Sequence, residues 1–357
     1  MSELTIEKAQ EALSTVNDPD LQKDLITLNM ARNIEVLNKK TVKFNLVLTT
    51  PACPLKSKIE EDCRQALYKI GAENVEIVTT AEVRGFRGMS GKQPVDGVKN
   101  IIAVSSGKGG VGKSTVSVNL AISLSKQGAK VGILDADITG PNIPLMLGLS
   151  QQPSLSEDGK KLIPLEAHGV KAISMGLLLK DSEPVVWRGP MLHSAINQFL
   201  RDVMWGELDY LVVDLPPGTS DAQLSLCQAV PISGALVVST PQDVALLDSK
   251  KGLSMFKQMK VSILGIIENM SYFIAPDTGK EYDIFGSGGA KKAAEELGIE
   301  CLGQVPLQIE LREGGDKGIP VTISEPENVV SKAFLEISKN VAAQVSIQTV
   351  KQEPVNV

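Results

Sequence analysis

Ile101-Ile-Ala-Val-Ser-Ser-Gly-Lys-Gly-Gly-Val-Gly-Lys-Ser-Thr115 is the stretch from which the rest of the chain can be read. A short apolar run ends at Ser105, a glycine-rich turn follows, and a helix-forming run opens at Lys113. Gly107, Gly112, Lys113 and Ser114 occupy the fixed positions of the phosphate-loop pattern G-x-x-x-x-G-K-[ST]. Glycine carries no Cβ, so backbone N–H groups can close around an anion, and the helix starting near Lys113 points its positive end at the same spot. The spacing therefore predicts a nucleotide site built from Gly107, Lys108, Gly109, Gly110, Val111, Gly112, Lys113, Ser114 and Thr115. Lys113 is expected to reach the β- and γ-phosphates, and Ser114 to offer its hydroxyl to Mg²⁺.

Lys108 is a second lysine inside the loop. Lys113 already meets the phosphates of its own subunit, so Lys108 reads either as a cation pointing outward to a second subunit or as a solvated surface lysine. Two acidic strand ends accompany the loop. Gly132-Ile-Leu-Asp135-Ala-Asp137-Ile-Thr-Gly-Pro141 places Asp137 to orient an attacking water and Asp135 to support Mg²⁺ with its water shell. Tyr210-Leu-Val-Val-Asp214-Leu-Pro-Pro-Gly218-Thr219 is an apolar strand ending in an acid. Asp214 would hold Mg²⁺ through water, Gly218 would offer its N–H to the γ-phosphate, and Pro216 and Pro217 would stiffen the segment. Strand-end aspartates alone are often helix caps. Two of them beside a phosphate loop favour catalysis, with Lys108, Lys113 and Asp137 as the catalytic set.

From residue 98 onward, apolar runs alternate with helical stretches. Strands are expected at 101–105, 131–135, 170–174, 210–214, 235–240, 263–268 and 302–305. Such runs imply an α/β domain with a parallel sheet covered on both faces, and with ligands at the carboxyl ends of the strands. Residues 1–83 read as a small α/β domain. It comprises a helix over 4–15, a hairpin turning at Asn38-Lys39-Lys40, a helix from Lys56 to about Ile70, and a strand from Val75 to Val83. Residues 84–97 are glycine-rich and aperiodic, as in a linker. The domain then runs over 98–345, and 346–357 reads as a polar tail that frays.

With 357 residues, 43% of them hydrophobic and 22% charged, the chain is an ordinary globular composition of about two domains. A net charge of −6 offers no basic surplus for nucleic acid, and no apolar run approaches a membrane span. Cys53, Cys63, Cys227 and Cys301 have no paired spacing, so a reducing cytoplasm is the expected home. His168 and His193 are the only histidines and lack the short spacing of a zinc pair.

The loop with its inner Lys108, the Asp135-Ala-Asp137-x-x-Gly-Pro141 segment and Asp214-x-Pro-Pro-Gly-Thr219 together resemble the Mrp/ApbC-type iron–sulfur cluster carriers of the MinD/Mrp class of ATPases. Trp187-Arg-Gly-Pro-Met191 and Glu268-Asn-Met-Ser-Tyr272 carry the same resemblance. So do Asp18-Pro19-Asp20 and Thr49-Thr50-Pro51-Ala52-Cys53-Pro54, which look like the small iron–sulfur assembly domain preceding such ATPases. The likeness covers residues 1 to about 340. It implies a homodimeric Mg²⁺-dependent ATPase that assembles or carries clusters for recipient proteins. In that class the lysine matched by Lys108 crosses the dimer, the asparagine matched by Asn269 contacts adenine, and the segment around Pro306 closes over the base.

One departure concerns the cargo. The family usually follows Ser-Tyr-Phe with a Cys-x-x-Cys pair, where this chain has Ala275 and Thr278, neither of which ligates iron. Any bound cluster is expected to use other ligands. Cys53, ahead of a helix N-terminus whose dipole would stabilise a thiolate, is the first candidate; it also fits a buried turn residue. The competing functions are a MinD/ParA-like positioning ATPase and a clusterless ATP-driven assembly adaptor. The first would want either an amphipathic terminal helix, which Val350-Lys-Gln-Glu-Pro-Val-Asn-Val357 with its proline does not offer, or a basic surface, which the composition does not advertise.

Overall fold

Ile101 to Ser105, the apolar run ahead of the glycine turn, forms the middle of a mostly parallel sheet. The computed structural model describes residues 4–88, 91–138, 140–178 and 189–352, and two compact units divide at Arg84 and Gly85.

The first unit opens with α1 (Ile6–Leu13), whose N-cap Thr5 accepts the Lys8 N–H, and Asn17–Asp18 (β1) and Lys23–Asp24 (β2) follow as a short antiparallel pair. A hairpin comes next, β3 (Ala31–Leu37) and β4 (Thr41–Leu48), then α2 (Lys56–Lys69) and β5 (Asn74–Ala81), which lies parallel to β4. Asn38 and Lys39 both take positive φ, the geometry of a hairpin turn whose twist matches its strands. Burial along β4 alternates strictly, turning Val42, Phe44, Leu46 and Leu48 inward, and Ala9, Ala12, Leu13, Ile59, Cys63 and Leu67 are the buried residues of the two helices. The last strand ends at Ala81, two residues short of expectation.

The second unit contains, in chain order, β6 (Val98–Ser106), α3 (Lys113–Lys126), β7 (Val131–Asp135), α4 (Ile143–Met146), β8 (Leu165–Ala167), β9 (Val170–Ser174), α5 (Gly189–Arg201), β10 (Leu208–Asp214), α6 (Asp221–Ala229), β11 (Gly234–Ser239), α7 (Asp243–Gln258), β12 (Ile263–Ile274), β13 (Glu281–Tyr282), α8 (Gly289–Leu297), β14 (Cys301–Leu307), α9 (Ile309–Lys317), α10 (Val321–Ser324) and α11 (Val329–Gln352). All of the expected strands are present, and they pair in parallel in the order β14-β12-β11-β6-β10-β7-β9. The sequence reading missed β8 and β13, two short strands added antiparallel to β9 and β12. Strands of two or three residues carry too little periodicity to be recognised.

The helix after the loop is buried on nearly every side. Val116, Val118, Leu120, Ile122 and Leu124 are all removed from water, as are Ser117, Asn119 and Ser123. Its polar groups are satisfied by neighbours: Thr322 Oγ1 donates to Asn119 Oδ1 at 3.0 Å. Such a helix cannot shift without breaking the core, so the loop at its N-terminus is held rigidly.

Two boundaries differ from expectation. Residues 85–88 and 91–97 belong to the second unit: Phe86 and Val95 are buried, Lys92 Nζ reaches the Cys227 carbonyl, and Arg201 donates to the Gln93 and Pro94 carbonyls. Aperiodic sequence here means irregular backbone whose carbonyls are met by long side chains. The expected polar tail is also shorter, because α11 runs to Gln352 with Thr349 and Val350 buried. Val341, Ala342, Val345 and Thr349 recur at helical spacing, which keeps one face covered past residue 345. The remainder of that tail and the Trp187-Arg188 signature lie outside the described residues.

Candidate functional site

The sheet register assembles the site. Val104 of β6 pairs with Asp214 of β10, and Asp214 pairs with Asp135 of β7. The ends of β7 and β10 thus lie level with each other beside Val104 of β6, although β10 follows β7 by some 70 residues in sequence. The loop between β6 and α3 turns tightly around that edge. Gly112 has φ +78°, and a Cβ there would lie 2.2 Å from Asn269 Nδ2. At Gly107 a Cβ would lie 2.3 Å from the backbone of Asp248 and Ser249. Only glycine allows both approaches.

Lys113 is the charged centre. Its Nζ lies 2.8 Å from Asp214 Oδ2 and 3.8 Å from Asp137 Oδ2, with side-chain exposure of 6% for Lys113 and 0% for Asp214. Ser114 donates to Asp214 Oδ2 at 2.6 Å, and Ser117, one turn further along α3, donates to Asp214 Oδ1 at 2.6 Å. Asp135 accepts from Ser174 Oγ at 2.8 Å and from the Asp137 N–H at 3.1 Å. Burial, reinforced by the neighbouring Asp214 charge, pushes the Asp135 carboxyl up to about 8.

A cavity of 210 Å³ opens on this centre, lined by residues 108–115 of the loop together with Ser106, Asp137, Asn142, Met146 and Pro217. The residues fit a nucleoside phosphate with Mg²⁺. Backbone N–H groups and Lys113 suit the anion, while Ser114, Asp135 and Asp214 are the hard oxygen donors that the ion prefers. Asn269 adds a further sign. Its Nδ2 donates to the Val111 carbonyl at 2.8 Å, and its Oδ1 is buried without a hydrogen-bond partner, although Asn269 does not itself line the cavity.

Other expected residues are placed differently. Lys108 is half-buried, and its Nζ donates to Gln242 Oε1 at 3.3 Å. Gly218 has its N–H on the Ser106 carbonyl at 2.8 Å, because φ +78° turns that peptide back toward β6. Pro306 is buried near the end of β14, beside Val305, the register partner of Asn269. It does not line the cavity.

The thiol expectation is reversed. Cys53 does precede α2, and the Leu55 and Lys56 N–H groups face its sulfur, yet burial pushes its thiol up to about 11, with Asp18 and Asp20 adding to the rise. Desolvation and two carboxylates outweigh the helix terminus. Cys63 and Cys227 are buried, and burial pushes both up to about 12. Among the described residues no group of three or more His, Cys, Asp and Glu side chains is arranged to hold a metal ion. Ala275 is buried where β12 turns toward β13, its N–H on the Lys280 carbonyl at 3.0 Å. His168 Nε2 contacts the Gly318 carbonyl and His193 Nε2 contacts Asn197, so neither histidine faces the other.

Ser117, Ser174 and Gln223 escaped the sequence reading. Ser117 stands three residues after Ser114 on a helix, so the same face was a signal that could have found it. Ser174 ends β9 opposite Asp135, a pairing visible only once the strand order is known.

Residues 97–342 match the family described as ParA, NUBPL iron-transfer P-loop NTPase, and residues 6–79 match the iron–sulfur cluster assembly protein family. The chain is 55% identical over 349 residues to the iron–sulfur cluster carrier protein of Synechocystis sp., a match covering 96% of this chain and 99% of the relative. It is 45% identical over 334 residues to the iron–sulfur cluster carrier protein of Escherichia coli, covering 93% of this chain and 90% of that one. Among solved structures it is similar to a nucleotide-binding protein from Archaeoglobus fulgidus in complex with ADP, at 41% identity and a TM-score of 0.58, covering 66% of this chain and 91% of that one. The cell division ATPase MinD of Pyrococcus furiosus shares the fold, at 24% identity and a TM-score of 0.52, covering 68% and 98%.

Proposed function

This chain belongs to the family of NUBPL-type iron-transfer P-loop NTPases, and from that premise we propose that it is an ATP-hydrolysing carrier of iron–sulfur clusters. The observation that carries the hydrolytic half is the Lys113–Asp214–Ser114 arrangement at the head of a glycine-cradled loop. The cargo half is supported by the name shared by relatives that match nearly the whole chain.

In this reading the N–H groups of residues 109–115 bind the phosphates, and Lys113 moves from Asp214 to the β- and γ-oxygens. Ser114, Asp135 and Asp214 would hold Mg²⁺, which when bound neutralises charge on the transferred phosphoryl group. Asp137 orients the attacking water and accepts its proton. Asn269 keeps Nδ2 on Val111 and presents Oδ1 to the adenine amino group, while the segment at Pro306 covers the base. Lys108 exchanges Gln242 for the phosphates bound by a second copy of the chain, making the active form a homodimer. Among the described residues no helix is long and apolar enough to cross a membrane. A cytoplasmic home is part of this reading, in keeping with the four free cysteines.

The cluster is cargo, passed between assembly and recipient proteins. Ala275 and Thr278 offer it no ligand, and Cys53 is the first candidate if a thiolate forms on metal binding. The test is twofold. Purified protein should hydrolyse ATP with Mg²⁺, and Lys113→Ala should not; equal turnover in both would reject the enzyme. Anaerobic reconstitution of wild type, Cys53→Ser and Cys227→Ser/Cys301→Ser should give iron and sulfide that only Cys53→Ser loses. An empty wild type would favour the clusterless adaptor.

A further inference from the structure

Gln223 stands in the first turn of α6, is fully buried, and spends its whole amide on the segment that follows β10. Its Oε1 accepts the Ser220 N–H at 2.7 Å and the Ser220 hydroxyl at 2.6 Å. Its Nε2 donates to the Pro216 carbonyl at 2.9 Å and to the Gly218 carbonyl at 2.8 Å. The Oε1 half closes a capping box, a task that glutamate performs equally well. The Nε2 half does not belong to capping: a carboxylate has no N–H and would face two carbonyl oxygens.

What those two donors hold is the turn that aims Gly218. Pro216 and Pro217 have no N–H, so carbonyls are the handles by which this backbone can be gripped. Gly218 directs its N–H to the Ser106 carbonyl, and the Ser106 hydroxyl donates to the Lys108 carbonyl at 3.0 Å. A continuous path therefore runs from the phosphate loop through Ser106 and Gly218 to Gln223 and α6.

Resting on the proposed ATPase reading, and on the sequence expectation that a bound γ-phosphate draws the Gly218 N–H from the Ser106 carbonyl, we infer that Gln223 is the positioning residue of this segment. It makes 216–220 move with α6 as one piece, so the geometry that serves the γ-phosphate depends on its two N–H donors. Binding of a diphosphate, which has no γ-phosphate, does not.

Steady-state ATP hydrolysis and ADP titration of Gln223→Glu and Gln223→Met test this, with Gln228→Ala on the exposed side of α6 as control. Losing two neutral hydrogen bonds from the hydrolytic geometry is expected to lower kcat about tenfold, with ADP affinity held within about twofold and the control unchanged. A wild type that hydrolyses ATP beside a Gln223→Glu variant of equal kcat and KM would overturn the inference. So would an equal fall in kcat and ADP affinity, the mark of a merely structural residue. A wild type without hydrolysis would instead sink the proposed activity, and this inference with it. Amide exchange in the unaltered protein gives a second readout. On replacing ADP by a non-hydrolysable triphosphate, residues 215–219 and 220–226 should change protection together, and a change confined to 215–219 would also overturn the inference.

Discussion

The ammonium of Lys113 rests 2.8 Å from the carboxylate of Asp214, and both are withdrawn from water. The lysine that is to bind phosphate is thus already neutralised, and the same contact neutralises a carboxylate on the central sheet. In the proposed function an arriving triphosphate takes Lys113 from Asp214, and a divalent cation beside Asp214 would replace the lost positive charge. On that proposal the pair is a resting contact that nucleotide and Mg²⁺ would exchange for two new ones.

Lys113→Ala should consequently cost stability as well as activity. Leaving Asp214 buried without its cation is expected to lower unfolding free energy by about 3 kcal/mol. Denaturant titration of the apo protein measures this. A loss of hydrolysis with unchanged stability would mean that the pair does not form in solution.

Ser117→Ala removes the hydrogen bond to Asp214 Oδ1 from a residue not expected to meet nucleotide. A bond to a charged group of this kind is worth roughly 1.5–3 kcal/mol, so melting should fall clearly while ADP affinity stays close to wild type. An unchanged melt would refute the role given to Ser117.

Asn269→Ala frees the Val111 carbonyl and deletes the unpartnered Oδ1. ADP affinity is expected to fall by about tenfold, one to two kcal/mol, and the preference for ATP over GTP to narrow. Calorimetric titration with both nucleotides reads the two effects, and an unaltered preference would remove Asn269 from base recognition.

Cys53 should be a slow nucleophile at neutral pH. Its folded value lies near 11 against an ordinary 9.0, so the folded state keeps the proton longer than the unfolded one. The stabilisation associated with this thiol is complete below pH 9 and is lost as the pH rises through about 11. Iodoacetamide modification of Cys53 in the native protein should be slow at neutral pH, climb about tenfold per pH unit, and level off only above about pH 11. Rapid labelling at pH 7 would contradict the burial seen here.

Truncation after Val345 should destabilise the protein, unlike removal of a frayed tail. Val350 and Thr349 are buried on the last turns of α11, and exposing that face is expected to cost about 2 kcal/mol. Thermal melting of the truncated chain checks it.

The phosphate loop, the acids at residues 135, 137 and 214, and the seven parallel strands were legible in the sequence. Each is a local pattern: a fixed spacing of glycine and lysine, or an apolar run closed by a carboxylate, whose meaning does not depend on distant residues. The tertiary structure alone decided what stands next to what. Inserting β10 between β6 and β7 made Asp214 a neighbour of both the loop and Asp135 and set Ser117 of α3 on Asp214, while the pairing of β9 with β7 set Ser174 on Asp135. Packing turned Lys108 onto Gln242 and Gly218 onto Ser106. It also made Cys53 a weaker acid than a helix N-terminus alone would, since desolvation and the charges of Asp18 and Asp20 come from elsewhere in the first unit. Hydrogen-bond direction and burial are set by contacts between segments remote in the chain, and no one-dimensional pattern carries them.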